Sequence, residues 1–196
     1  TAYKALNGHK GTVGVYNYET GEILCMVSTP SFDPDNPPEN LDSEEYDGAY
    51  VNRFLSAAIV PGSIFKIVTL NAALENIPDL NERTWECDGS VNVGGTEITC
   101  PSAHGTLDIE SAFANSCNGV FGQLAAEMGG EVMQEYVDKA GLTSSLSIDG
   151  IQTAKGTFAF EGEDDAQIAW SGVGQGKDAL NPCSMMTYMG AIACEG

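Results

Sequence analysis

The stretch PGSIFKIVTLNAALEN (residues 61–76) opens with a helix-breaking Pro-Gly pair and then places Ser63 three residues before Lys66. The apolar residues after this pair recur with the period of an α-helix. They are Ile64, Ile67, Val68, Leu70 and Leu74. A proline two residues beyond the stretch disfavours helical backbone just before it. The sequence therefore predicts a helix from Ser63 to about Asn76, with Lys66 in its first turn.

The serine and the lysine have two explanations. Residues three apart share a face of a helix, so Ser63 Oγ and Lys66 Nζ can come within hydrogen-bonding reach. A serine becomes a strong nucleophile when a base takes its proton, and a desolvated lysine with a lowered pKa can be that base. The alternative is chance, because Ser-x-x-Lys occurs about once in a chain of ordinary composition. Lys66 is nevertheless the only one of six lysines with a serine at this spacing.

A second motif, Ser116-Cys117-Asn118, lies between two predicted helices in FANSCNG. In a catalytic reading, Ser116 relays a proton and the Asn118 amide holds a substrate carbonyl. Taken alone, Ser116 is better explained as a helix terminus or cap. A Ser-Val-Asn triplet at 90–92 has the same pattern, but strand alternation explains its polar residues as solvent-facing.

The composition limits the classes of function. The chain has 196 residues, enough for one hydrophobic core, and a net charge of −20 from 28 acidic and 8 basic residues. Nucleic acids and anionic membrane surfaces both require a positive face, so neither is an expected partner. The printed sequence contains no membrane-spanning run and no signal peptide. We expect any anchor or export segment to lie outside it, since it begins without methionine.

The cysteines and histidines do not form a familiar metal motif. There is no C-x-x-C, and the only histidines are His9 and His104, so neither a zinc site nor another cofactor is expected. His104 has no evident partner, which favours a structural role. Cys87 and Cys100 bracket a predicted hairpin, so a disulfide and two free thiols both remain possible. The acidic run at 161–165 is better explained as a solvated face than as a metal site.

The remaining pattern indicates an α+β fold built mostly from antiparallel strands. Hairpins are predicted over 11–28 and 84–100, the latter turning at Gly94-Gly95 and pairing Val93 with Thr96 and Val91 with Ile98. A long loop is predicted over 29–50, and loop and turn over 141–163. The predicted helices are IESAFANS capped by Asp108, NGVFGQLAAEM, EVMQEYVDKAG and NPCSMMTYMGAIACEG.

Four segments together carry a family resemblance over nearly the whole chain. They are GTVGVYNYETGEILCMVSTPSFDPDNPPE, NRFLSAAIVPGSIFKIVTLNAALE, HGTLDIESAFANSCNGVFGQLAAEMG and GVGQGKDALNPCSMMTYMGAIACEG. In order, spacing and flanking residues they resemble the transpeptidase domain of penicillin-binding proteins, with S-x-x-K and S-x-N in place.

The resemblance implies an α/β (α+β) transpeptidase-like fold, with an antiparallel sheet flanked by helices. It implies that Ser63 is acylated, that Lys66 is its base, and that Ser116 and Asn118 lie across the cleft, with Ser63 and Asn118 contacting substrate. The implied partners are peptidoglycan stem peptides ending in D-Ala-D-Ala and β-lactam antibiotics. The implied place is the extracytoplasmic face of the bacterial membrane, with the parent protein anchored by an N-terminal segment.

The chain departs from the family at its third motif. K-T-G or K-S-G is expected on a strand after GVGQG, and the printed residues hold only Lys155-Gly156-Thr157, in another order and before GVGQG. We therefore expect residues 1–196 to be one partial domain that lacks this strand and is inactive alone. A carboxypeptidase, a serine β-lactamase and a non-catalytic β-lactam sensor remain as alternatives.

Overall fold

The computed structural model of the chain describes residues 1–160 and 162–196. In these residues the helices are α1 (Ala2–Leu6), α2 (Arg53–Ser56), α3 (Lys66–Asn76), α4 (Ile109–Ala114), α5 (Asn118–Lys139), α6 (Asp165–Gly172) and α7 (Pro182–Ala193). The strands are β1 (Gly11–Tyr16), β2 (Ile23–Thr29), β3 (Trp85–Cys87), β4 (Ser90–Val93), β5 (Thr96–Thr99), β6 (Gly105–Leu107), β7 (Ser147–Ile148) and β8 (Ile151–Gln152).

The strands pair in antiparallel two-stranded sheets, β1–β2, β3–β6, β4–β5 and β7–β8. Helices and antiparallel strands together confirm the predicted α+β class. None of the helices in the described ranges is both long and apolar enough to cross a bilayer.

The chain divides into two compact units. The first unit contains Thr1–Ile59, Ser144–Gly156 and Leu180–Gly196, and the second contains Val60–Thr143 and Thr157–Ala179.

The first unit is built around α2, α7 and the β1–β2 hairpin. Its core contains Phe54, Leu55 and Cys183. Gly14 on β1 allows the Phe54 ring to approach the strand, because a Cβ at this position would lie 2.1 Å from the ring. Asn181 caps α7 through its side-chain oxygen and donates from Nδ2 to the carbonyl oxygens of Leu55 and Ala57. This one buried amide therefore ties α7 to the end of α2.

The second unit packs α3 and α6 against α5. Its core residues include Ala73, Leu80, Leu107, Val120, Phe121 and Leu124. The β4–β5 hairpin has the predicted register, with Val91 opposite Ile98 and Val93 opposite Thr96. The glycine pair at its turn allows this register, since both residues have positive φ, 59° and 86°.

The helix predicted from Ser63 begins as a 3-10 turn over Gly62–Phe65 and becomes α-helical at Lys66. It ends at Asn76, as predicted from the proline that follows. Its buried face differs from the expected apolar positions, because Ile64 and Leu74 are more than half exposed while Lys66 is 1% exposed. The tighter turn rotates the first residues relative to an ideal α-helix, so Lys66 faces the interior.

Other elements also differ from the predictions. The two helices expected around residue 129 form α5, which is interrupted at Gly129, where φ is 78° and ψ is 168°. The 141–163 segment, predicted as loop, contains the short β7–β8 hairpin. The β3–β6 pair was not predicted, because it joins three-residue strands far apart in sequence.

Candidate active site

Lys66 is the centre of a compact polar cluster in the second unit. Its Nζ lies 3.0 Å from Ser63 Oγ, 2.9 Å from Ser116 Oγ, 2.9 Å from the Ser116 carbonyl oxygen and 2.6 Å from Asn118 Oδ1. The four residues predicted as a site are thus brought together around one amine. An ammonium has three N–H donors, so these four oxygens more than satisfy it.

The surroundings of Lys66 disfavour its charge. The side chain is buried, and burial lowers the pKa of its amine to about 8, against a weaker opposing effect of Cys100 and Cys117. In the part of the chain that the structure describes, the ion pairs do not include Lys66. Its hydrogen-bond partners are neutral oxygens, which leave the amine able to lose its proton near neutral pH.

The turn that carries Ser63 rests against a glycine-rich segment of the same unit. The Gly62 amide donates to the Gly174 carbonyl oxygen over 2.8 Å, and Thr69 Oγ1 donates to the Gly172 carbonyl oxygen over 2.7 Å. Gly174 has φ +79°, and a Cβ there would lie 2.0 Å from the Gly62 carbonyl oxygen. The site therefore depends on a glycine that the sequence analysis missed, although its place in GVGQG is a visible signal.

The Ser116-Cys117-Asn118 turn joins α4 to α5. Asp108 caps α4 as predicted, in a capping box with Ser111, and α5 begins at Asn118. Ser116 itself has φ 54°, a left-handed conformation that costs energy in a residue with a side chain. This conformation accompanies the placement of both the hydroxyl and the carbonyl oxygen of Ser116 on Lys66.

Asn118 is held between two partners. Its Oδ1 accepts from Lys66, and its Nδ2 donates to the Thr99 carbonyl oxygen over 2.7 Å. An amide nitrogen carries two N–H bonds, so one of them is available to a substrate carbonyl. The orientation of the amide is thus fixed without using all of its donors.

The competing candidates lie elsewhere. Ser90 and Asn92 are exposed on β4, as the strand alternation predicted. Lys155 and Gly156 belong to no helix or strand, in agreement with the predicted loop. Of the acidic run, Asp164 caps α6 and Glu163 pairs with Lys177, while Glu161 lies outside the described residues.

The expected lack of a partner for His104 needs correction, and the cysteines show an arrangement that their spacing did not predict. His104 was expected to lack a partner, but its Nδ1 lies 3.4 Å from Cys87 Sγ. A metal site was judged unlikely from the absence of C-x-x-C, but four potential ligands converge, from Cys87, Cys100, His104 and Cys117. The structure shows all six cysteines as free thiols, including the Cys87–Cys100 pair. The fold brings these four residues together from separate segments of the chain, so their spacing in the sequence does not reveal the cluster.

Comparison with known proteins identifies the family of this chain. The family model described as "Penicillin binding protein transpeptidase domain" matches residues 11–196. The peptidoglycan D,D-transpeptidase PbpA of Mycobacterium tuberculosis is 30% identical, over 95% of this chain and 41% of its own length.

Two solved structures are also similar. The ceftriaxone acyl-enzyme complex of penicillin-binding protein A from M. tuberculosis has a TM-score of 0.80 and 25% identity, covering 94% of this chain and 45% of that one. The D,D-transpeptidase domain of a peptidoglycan glycosyltransferase from Eggerthella lenta has a TM-score of 0.87 and 27% identity, covering 100% and 52%. The chain therefore spans about half or less of the length of these relatives. Since the matched range holds both serine motifs and nearly the whole chain, this chain belongs to the penicillin-binding protein transpeptidase family.

Proposed function

We propose that this chain carries the acylation machinery of a serine D,D-transpeptidase that cross-links peptidoglycan. The observation that carries the proposal is the buried Lys66 amine, which lies within 3.0 Å of both Ser63 Oγ and Ser116 Oγ. The lowered pKa of Lys66 supports a role as base, because a neutral amine can accept the serine proton. The substrate class follows the name of the related PbpA, a peptidoglycan D,D-transpeptidase.

In the proposed reaction, Lys66 takes the Ser63 hydroxyl proton as Oγ attacks the carbonyl carbon of the penultimate D-Ala. A bond forms between Oγ and this carbon, and the bond from the carbon to the terminal D-Ala nitrogen breaks. The proton passes through Lys66 and Ser116 to the departing amine. The amine of a second stem peptide then attacks the acyl carbon. A bond forms between this carbon and the amine nitrogen, the bond from the carbon to Ser63 Oγ breaks, and the proton of the amine returns along the same groups to Oγ.

Asn118 has a binding role in this scheme. Its Oδ1 is engaged by Lys66 and one Nδ2 proton by Thr99, so the other Nδ2 proton can hold a backbone carbonyl of the stem peptide. β-Lactams would enter the same reaction, with Ser63 opening the lactam amide. The ceftriaxone acyl-enzyme of the M. tuberculosis relative supports this extension.

The wider context follows from the family. The family model covers residues 11–196, and we propose that residues 1–196 are part of one transpeptidase domain. Peptidoglycan cross-linking takes place outside the cytoplasmic membrane, so the site would face the extracytoplasmic side in a membrane-anchored parent protein. Without a K-T-G strand to supply an oxyanion-hole donor, residues 1–196 alone would acylate about 10²–10³-fold more slowly than the full-length protein.

The test measures D-alanine release by the full-length protein from an acyl-D-Ala-D-Ala peptide, with and without an added amine acceptor. A transpeptidase releases D-alanine and forms a product that contains the acceptor, whereas a carboxypeptidase forms only the hydrolysed acid. Ser63→Ala should abolish both products, while Ser90→Ala, on the exposed strand β4, should change neither. Release that persists in Ser63→Ala would overturn the proposal.

A further inference from the structure

A second cluster of reactive side chains lies beside the Ser116-Cys117-Asn118 turn. The ligand atoms of Cys87, Cys100, His104 and Cys117 all lie within 4.8 Å of one another. Cys87 and Cys117 are 5% and 0% exposed, and the other two are half-buried. Three thiols and an imidazole are a donor set that binds zinc, and proteins use Cys3His in closed structural sites.

The distances fit a tetrahedron. With Zn–S bonds of about 2.3 Å and Zn–N bonds of about 2.0–2.1 Å, sulfur ligands lie about 3.8 Å apart and sulfur and nitrogen about 3.6 Å apart. In the structure Cys100 Sγ and Cys117 Sγ are 3.7 Å apart, and Cys87 Sγ and His104 Nδ1 are 3.4 Å apart. Two opposite edges of the four-ligand set therefore already have nearly the required length.

The backbone holds the ligands in place. The His104 amide donates to the Cys87 carbonyl oxygen over 2.9 Å, in continuation of the β3–β6 pair. The Cys100 amide donates to the Gly89 carbonyl oxygen over 2.8 Å. The Gly119 amide, in the first turn of α5, donates to Cys100 Sγ over 3.4 Å, a contact that holds this sulfur in place. The ligands thus come from separate segments that the fold fixes before any metal binds.

A disulfide explains the cluster less well. A disulfide requires sulfurs about 2.05 Å apart. It would use two of the thiols and would not account for the third thiol and the imidazole beside them. A metal uses all four groups.

We propose that Cys87, Cys100, His104 and Cys117 form a structural zinc site that fixes the turn carrying Ser116 and Asn118. Cys117 is the middle residue of this turn, so its sulfur would tether the turn directly to the metal. Ser116 has the strained left-handed φ of 54°, and its carbonyl oxygen accepts from Lys66. The zinc would therefore help to hold a conformation that the polar cluster needs but that Ser116 does not favour by itself. Its role is in positioning, with no contact to substrate.

Metal content tests this site without reference to acylation. The purified full-length protein is equilibrated with zinc chloride, freed of excess metal and analysed for the amount of zinc bound per chain. His104→Ala and Cys87→Ser should each reduce that occupancy at least tenfold. His9→Ala and Cys194→Ser are matched controls, since His9 is the other histidine and Cys194 lies outside the cluster, and both should retain the wild-type content. Ser63→Ala should also retain it, which separates this proposal from the proposed function.

Cobalt gives an independent readout of the ligands. Binding of Co²⁺ alone should produce intense tetrahedral ligand-field bands and a thiolate-to-cobalt charge-transfer band, and His104→Ala should weaken both. The proposal is overturned if the wild type takes up no zinc, or if His104→Ala and Cys87→Ser bind as much as the wild type. It is equally overturned if mass spectrometry of the unreduced protein finds two of the three cysteines joined in a disulfide.

Discussion

Burial of the Lys66 amine is the residue-scale feature on which the proposed chemistry depends. The amine is surrounded by the oxygens of Ser63, Ser116 and Asn118 and is excluded from water. Removing a charge from water is unfavourable unless it is paired, so the protein holds this lysine at a cost in stability. A residue retained under such a cost is better explained by a chemical role than by packing.

Lys66→Met tests this role while preserving most of the side-chain volume. Without the base, acylation of Ser63 should slow by about 10²–10⁴-fold. The melting temperature should stay the same or rise, since an apolar side chain replaces a buried amine. The measurements are the rate of fluorescent penicillin labelling of the full-length protein and its thermal unfolding. Lys155→Met, in the loop before GVGQG, is the control and should label at the wild-type rate. Wild-type labelling by Lys66→Met would remove Lys66 as the base.

The pH dependence of acylation follows from the lowered pKa of Lys66. Burial lowers this pKa to about 8, so the neutral amine becomes more abundant as the pH rises through that value. The acylation rate should therefore increase about tenfold between pH 6 and pH 7 and level off above pH 8. Stopped-flow measurement of β-lactam acylation by the full-length protein gives this profile. A rate that is constant from pH 6 to pH 10, or that falls as the pH rises, would contradict it.

At the scale of elements, the close approach of Gly174 to the Gly62–Phe65 turn controls where Ser63 lies. Gly174→Ala would place a methyl group 2.0 Å from the Gly62 carbonyl oxygen and also impose a strained positive φ. Unfolding free energy should fall by about 2–5 kcal/mol, from backbone strain of about 1–2 and overpacking of about 1–3. Acylation should slow as well, because the Ser63 turn must move.

Gly176→Ala separates the two causes. Gly176 also has a positive φ, +96°, but the nearest atom to a Cβ there is Ser171 Oγ at 3.8 Å. The unfolding free energy of this variant should fall only by the contribution of backbone strain, about 1–2 kcal/mol, and its acylation rate should stay the same. Denaturant unfolding and penicillin labelling compare the two variants. Equal losses in both would show that the contact with Gly62 is unimportant.

Local signals made some of these elements predictable. The glycine pair in β4–β5 fixed a hairpin register that the structure confirms, and Asp108 marked the start of α4 correctly. The spacing of Ser63 and Lys66 was sufficient to predict their contact, because a helical turn brings them together. Ser116 and Asn118 required the family resemblance, since a serine at a helix end has a simpler explanation.

Long-range pairing made the rest unpredictable. The β3–β6 pair consists of three-residue strands separated by a whole hairpin, and no periodicity can develop over so few residues. The Cys87–His104 contact depends on that pair, so the metal-ligand cluster was missed with it. The support from Gly174 was missed because its partner, Gly62, lies in a distant segment.

At the scale of the whole molecule, each compact unit has its own core. In the first unit, Asn181 is fully buried and uses both ends of its amide to join α7 to the end of α2. The second unit contains the polar cluster, the proposed zinc ligands and the packed helices α3 and α5. The elements that carry the candidate catalytic residues and the proposed zinc ligands therefore belong to the same unit and share its core.

Asn181→Ala should destabilise the first unit. It removes the cap of α7 and leaves the carbonyl oxygens of Leu55 and Ala57 without this donor, at a combined cost of about 2–4 kcal/mol. Hydrogen exchange should show the loss of protection first in α2 and α7. Asn40→Ala, at an exposed position of the same unit, is the control and should change stability by less than about 0.5 kcal/mol. Unchanged exchange in α2 and α7 would contradict the assignment of Asn181 as their link.

The central claim is that Ser63 is the residue that becomes acylated, and peptide mapping tests it most directly. The full-length protein is treated with a β-lactam, digested and analysed by mass spectrometry to locate the added mass. The account predicts one adduct per chain, carried on the Ser63 hydroxyl, and none in Ser63→Ala. An adduct on Ser116, Ser90 or any other residue of the wild type, with Ser63 unmodified, would contradict it.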